Sequence, residues 1–85
     1  MKVLETTQTT GKVFTLSEGI FQMYVVSFAG EVKLQARIDN KAWVDTDSIF
    51  TDNGIKTFYA TPSAEYQVVT DTAGAEVYVV GSTSG

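Results

Sequence analysis

Hydrophobic and polar residues alternate with a period of two on both sides of Ala29-Gly30. Before it, Phe21, Met23 and Val25 alternate with Gln22 and Tyr24; after it, Val32, Leu34, Ala36 and Ile38 alternate with Lys33, Gln35 and Arg37. Folding the chain on a two-residue loop there sets Val25 opposite Leu34, Met23 opposite Ala36 and Phe21 opposite Ile38, with the aliphatic groups on one face. A slip of one residue would turn that whole face to water, so the pattern fixes the register it predicts. A second hairpin is expected around Asp71-Thr72-Ala73-Gly74, where Val68 meets Val77 and Tyr66 meets Val79 while Glu65, Gln67 and Glu76 take the other face.

Turn residues recur at short intervals, at Thr10-Gly11, Ser17-Glu18-Gly19, Asp39-Asn40, Asp52-Asn53-Gly54 and Thr61-Pro62-Ser63, and runs rich in Val, Ile, Thr, Tyr and Phe lie between them. Strands are expected near 2–7, 12–16, 20–28, 31–38, 42–45, 48–51, 55–60, 64–70 and 75–80. The best helical rival, Ser17 to Ser27, contains Gly19 and the β-branched Ile20, Val25 and Val26, which disfavour a helix. Two hairpins with one apolar face each must bury those faces against each other. The predicted fold is therefore all-β, a small antiparallel β-sandwich or jelly roll of about 7–9 short strands, with Phe14 and Trp43 filling the core between the sheets.

Composition narrows the picture. A chain of 85 residues with 44% hydrophobic and 19% charged residues is one globular domain, expected over 1–80 with a flexible tail over 81–85. There is no cysteine and no histidine, which removes thiolate and imidazole chemistry and most zinc, haem and iron–sulfur sites. With no disulfide to reinforce so small a core, association with copies of itself or with a larger partner is an expected source of stability. The net charge of −4 and the scattered Lys2, Lys12, Lys33, Arg37, Lys41 and Lys56 argue against a phosphate-backbone partner. The N-terminal residues turn polar after Leu4, too early for the apolar core of a signal peptide, and no run approaches the ~18 apolar residues of a membrane helix. The chain is expected to be made in the cytoplasm and not threaded through a membrane, with no nucleic-acid partner.

Asp45, Asp47 and Asp52 lie close enough to suggest oxygen ligands for calcium, but Ile49 and Phe50 stand where an EF-hand loop needs a polar ligand and a glycine, so solvated loop acids are the simpler reading. No nucleophile pair, metal set or phosphate loop singles out a reaction, and no enzyme, metal or cofactor is expected. More informative is the second face of the first hairpin. Tyr24, Val26 and Phe28 stand there beside Lys33, Gln35 and Arg37, an apolar row with cations at its edge. Either a loop or the N-terminal strand of the same chain covers that row, or a partner does, in which case Tyr24, Val26, Phe28, Lys33 and Arg37 form the interface. Trp43 with Tyr59 also offers aromatic faces for sugar stacking.

From Ala36-Arg37-Ile38-Asp39-Asn40-Lys41-Ala42-Trp43-Val44-Asp45 through Asn53-Gly54, Phe58 and Pro62 to Tyr66-Gln67-Val68-Val69-Thr70, the chain resembles small β-sandwich structural proteins of tailed bacteriophages. In those chains a strand leads through an Asp-Asn or Asp-Gly turn to a Trp, then to an Asn-Gly turn and a Tyr-containing strand. The likeness spans roughly residues 32–80. It implies a non-enzymatic virion component, foremost a capsid decoration (cement) protein that bridges major capsid subunits, often as a trimer. A tail or adaptor component of the same particle, and a carbohydrate- or receptor-binding module, are the alternatives. The resemblance lies in turn and core positions, so it carries over no binding residue.

Overall fold

The computed structural model describes residues 1–26 and 30–81 and contains seven strands and no helix among them. They are β1 (Lys2–Leu4), β2 (Gly19–Val26), β3 (Val32–Ile38), β4 (Val44–Phe50), β5 (Gly54–Ala60), β6 (Ala64–Thr70) and β7 (Glu76–Gly81). A four-stranded sheet in the order β1-β7-β2-β5 faces a three-stranded sheet in the order β4-β3-β6, and every pairing is antiparallel. The sandwich predicted from the alternation is the fold.

The alternation decides what faces inward. Met23, Val25, Val32, Leu34, Val68 and Val77 have no exposed surface, and Val79 and Tyr66 join them in the core. Phe14 is also buried, its ring 5.8 Å from Tyr66, and Phe58 closes the row 6.0 Å from Tyr66 on the other side. The Tyr66 hydroxyl accepts the Thr61 amide at 3.1 Å, so the one polar atom of this aromatic row is satisfied.

The partners differ from those expected. β2 pairs with β5 and β7, whereas β3 pairs with β4 and β6, so Val25 and Leu34 face each other across the core instead of lying side by side in one hairpin. The chain crosses between sheets again from β6 to β7, which separates Val68 from Val77 in the same way. Two apolar faces can be buried by folding a ribbon flat or by arching it over the core, and the alternation is the same in both cases. The β2-to-β3 and β6-to-β7 crossings, two of the four between the sheets, meet at one end of the sandwich. Gly30 has φ 66°, and a β-carbon on it would lie 1.9 Å from Asp71 Oδ1, which itself accepts the Glu31 amide at 2.9 Å.

Other expectations are corrected. The predicted strand 12–16 is a segment that covers the free edge of β6 through backbone bonds from Gly11 to Val68, between Phe14 and Tyr66 in both directions, and from Thr70 to Thr9. The short strands 42–45 and 48–51 are one strand, β4, whose register against β3 shifts between Lys33 and Gln35. At that irregularity the Thr46 hydroxyl donates to the Leu34 carbonyl at 2.9 Å and accepts the Ser48 amide at 3.1 Å, replacing ladder bonds. Ile38 is half exposed because it ends β3 at the tight turn where Asp39 and Asn40 take φ 57° and 59° and the Lys41 amide returns to the Ile38 carbonyl. Trp43 lies outside the core, under the Arg37 guanidinium at 4.5 Å from the ring centre. The tail expected over 81–85 lies, after Gly81, outside the described residues, and Gly81 itself ends β7 opposite Phe21.

Candidate functional site: the outer face of the four-stranded sheet

Because Met23 and Val25 point into the core, Ile20, Gln22, Tyr24 and Val26 point outward, and register carries the outward set across the sheet. Ile20 is opposite Tyr59, Gln22 lies between Thr57 and Val80, Tyr24 lies between Ile55 and Tyr78, and Val26 is opposite Glu76. The result is a continuous surface in which Ile20, Tyr24, Ile55, Tyr59 and Val80 are each more than 40% exposed. The Tyr24 and Tyr78 rings lie 6.4 Å apart, tilted by 34°. A run of large apolar side chains of this kind on one side of a small sheet makes it the candidate docking surface.

Charges border it without entering it. The Tyr59 hydroxyl donates to Glu18 at 2.6 Å, and this bond, which would be lost with the proton, raises the Tyr59 pKa. At the β1 side Lys2 Nζ lies 2.7 Å from Glu76 and 2.9 Å from Glu5, and 5.8 Å from the Tyr78 ring centre. The Tyr78 hydroxyl donates to Glu76 at 3.1 Å. Hydrogen bonding by Lys2, then by Tyr78, holds the Glu76 carboxyl below the usual range, and its two carboxylates hold Lys2 above the usual lysine range. An apolar centre with a bonded polar border is the anatomy of a protein–protein interface.

The outer face of the three-stranded sheet is largely polar, with Ile49 and Val69 beside Lys33 as apolar members. Gln67 Nε2 donates to Gln35 at 2.8 Å, Gln35 Nε2 donates to Asp45 at 2.9 Å, Lys33 Nζ reaches Asp45 at 3.4 Å, and Arg37 Nε donates to Glu65 at 2.9 Å. The Gln35 bond, with Lys33 beside it, lowers the Asp45 pKa. This polar lattice is satisfied within the chain.

The five interface residues expected from the sequence are therefore divided. Tyr24 and Val26 belong to the apolar face, Lys33 and Arg37 to the polar face on the opposite side of the sandwich, and Phe28 lies outside the described residues. The expectation of one shared face depended on pairing β2 with β3, and that pairing is absent. The missing members of the apolar face, Ile20, Ile55, Tyr59, Tyr78 and Val80, come from three strands. The alternation Ile55-Thr57-Tyr59 was visible in the sequence, but nothing local says which sheet it joins.

A recess of about 380 Å³ lies between Ile38, Ala42 and Val44 on one side and Phe58 and Tyr59 on the other, with Arg37 and Lys41 also lining it. Of the acids considered for calcium, Asp45 is held by Gln35 and Lys33 and the Asp52 carboxylate accepts the Asn53 amide at 2.7 Å, the chemistry of a turn. Among the described residues no group of three acids, histidines or cysteines converges on one point. Comparisons of the chain with protein-family models, with curated proteins and with solved structures found no match.

Proposed function

We propose that the protein is a non-catalytic assembly component of the capsid-decoration kind, which lays the outer face of its four-stranded sheet on a larger protein shell and bridges neighbouring subunits there. The observation that carries this reading is the contrast between the two outer faces. One is a polar lattice closed by Gln35, Asp45 and Gln67, and the other is an apolar surface of Ile20, Tyr24, Ile55, Tyr59 and Val80 with its charges confined to the border. A small acidic domain is steered over long range only toward a basic groove, so without one affinity on this reading comes from apolar burial repeated over many copies. The phage setting rests on the sequence resemblance alone.

The two exposed tyrosines, Tyr24 and Tyr59, also favour a second reading, a carbohydrate-binding module. Trp43 contributes less to it than the sequence suggested, since Arg37 covers one side of its ring. Recovery of the chain with intact particles in fixed stoichiometry supports the assembly role. Binding to a glycan array, lost in Tyr24→Ser or Tyr59→Ser, with no association to particles, replaces it by the carbohydrate reading.

A further inference from the structure

Of the four sheet edges, three are blunted. β1 is three residues long and its register against β7 is irregular; β6 is covered by the segment from Thr9 to Phe14; β4 carries Asp45 and Asp47 and the register shift at Thr46. These are the usual defences of an edge against pairing with another chain. β5 lacks most of them. Its seven residues run opposite β2 in unbroken register from Gly54 to Ala60, with no proline, and its other side has no strand partner among the described residues. Its one charge, Lys56, is drawn back over the Phe50 ring at 5.5 Å.

We propose that the β5 edge pairs antiparallel with β5 of a second copy about a two-fold axis through Thr57, joining the two four-stranded sheets into one of eight strands. Such an axis, perpendicular to the sheet, keeps the outer faces on the same side and aligns all seven residues. Thr57 then faces its own copy, and Ile55 faces Tyr59 of the second copy twice over. These residues, 58% and 61% exposed in the single chain, form apolar cross-strand pairs. On the inner side Lys56 faces Phe58 of the second copy. Phe58 lines a recess with Asp47 and Lys56 between the β4 and β5 edges, and neither of these charges has an ion pair among the described residues. The two-fold thus directs the Lys56 of each copy toward the recess that holds Asp47 of the other, and the charges are complementary. The joined sheet would present two copies of the apolar face side by side, but the pairing does not depend on what that face binds.

The chain has no cysteine, so the register can be tested directly. Sedimentation equilibrium of the intact chain is expected to show a concentration-dependent dimer, and Thr57→Cys is expected to cross-link to its own copy under mild oxidation, since directly opposite residues have Cα separations of about 4.5–5.5 Å, within disulfide range. The double variant Ile55→Lys with Tyr59→Lys, which places like charges opposite each other, should weaken the dimer by about tenfold or more, and Ile55→Glu with Tyr59→Lys should restore it. Circular dichroism monitors the fold; if the double-lysine variant does not fold, the Thr57→Cys cross-link decides alone. A chain that stays monomeric at all concentrations, or a dimer in which Thr57→Cys fails to cross-link, overturns the proposal. Full retention of the dimer by a folded double-lysine variant overturns it as well.

Discussion

Met23 and Tyr24 are consecutive on β2 and live in opposite solvents: Met23 is wholly buried between the sheets, and Tyr24 is 43% exposed on the outside, between Ile55 and Tyr78. On the proposed function, the pair separates folding from docking. Met23→Ala should cost about 2–5 kcal/mol through lost transfer energy and a residual cavity. Tyr24→Ser should change stability by about 1 kcal/mol or less, since its ring gives up only a partly exposed contact. Urea unfolding followed by circular dichroism checks both, and equal losses at the two positions would mean that the outer face is covered within the chain.

Gly11 is required by space. A β-carbon there would sit 1.9 Å from the Val3 carbonyl oxygen, a backbone atom that cannot step aside without moving β1. Gly11→Ala should therefore destabilise the protein by about 1–3 kcal/mol, the usual range for overpacking. Amide exchange should at the same time accelerate at Gly11 and Phe14, whose N–H groups bond to β6. Unchanged exchange at those amides would show that the covering segment does not rest on β1 as described.

Trp43 is the only tryptophan, so its fluorescence reports one site. Removing the guanidinium that lies over it, in Arg37→Ala, should shift the emission to longer wavelength as water reaches the ring. Stability should fall by only about 1 kcal/mol, because the partner Glu65 stays partly solvated. An unchanged spectrum would place the indole elsewhere.

Lys2 and Glu76 make stability depend on pH. The folded protein holds the Glu76 carboxyl below its ordinary pKa, so its contribution is complete above that ordinary value and is lost as pH falls through the depressed one. The thermal midpoint of the wild type should exceed that of Lys2→Met at neutral pH, and the difference should close as the solution is acidified below the ordinary glutamate range. High salt should narrow it too, since the pair is partly open to solvent. A difference that persists in strong acid would indicate that Lys2 acts by packing its methylenes instead.

Period-two alternation made the faces legible and left the partners hidden. Val25, Leu34, Val68 and Val77 are buried as their spacing requires, yet Val25 does not pair with Leu34 nor Val68 with Val77, because the same spacing serves a hairpin and an arch over the core. The Asp39-Asn40 turn was legible because two adjacent residues with positive φ leave few alternatives. Trp43 was misplaced because an aromatic ring at a strand entrance is buried equally well by a core or by an arginine lying over it. The apolar outer face was half legible. Tyr24 and Val26 follow from β2 alone, whereas Ile55, Tyr59 and Val80 join them only through long-range register, which no local pattern encodes.

The central claim is that the outer face of the four-stranded sheet is the docking surface. Tyr24→Ser combined with Val80→Ser removes apolar area from β2 and β7 while leaving the β5 sequence and the core unchanged. The most direct measurement is co-sedimentation of this double variant with the phage capsid shells that the proposed function calls for, against the wild type and with circular dichroism as the control for folding. The account predicts that wild-type chain pellets with the shells and that the folded double variant stays in the supernatant, its affinity reduced by about tenfold or more. A folded double variant that pellets as well as the wild type would contradict it.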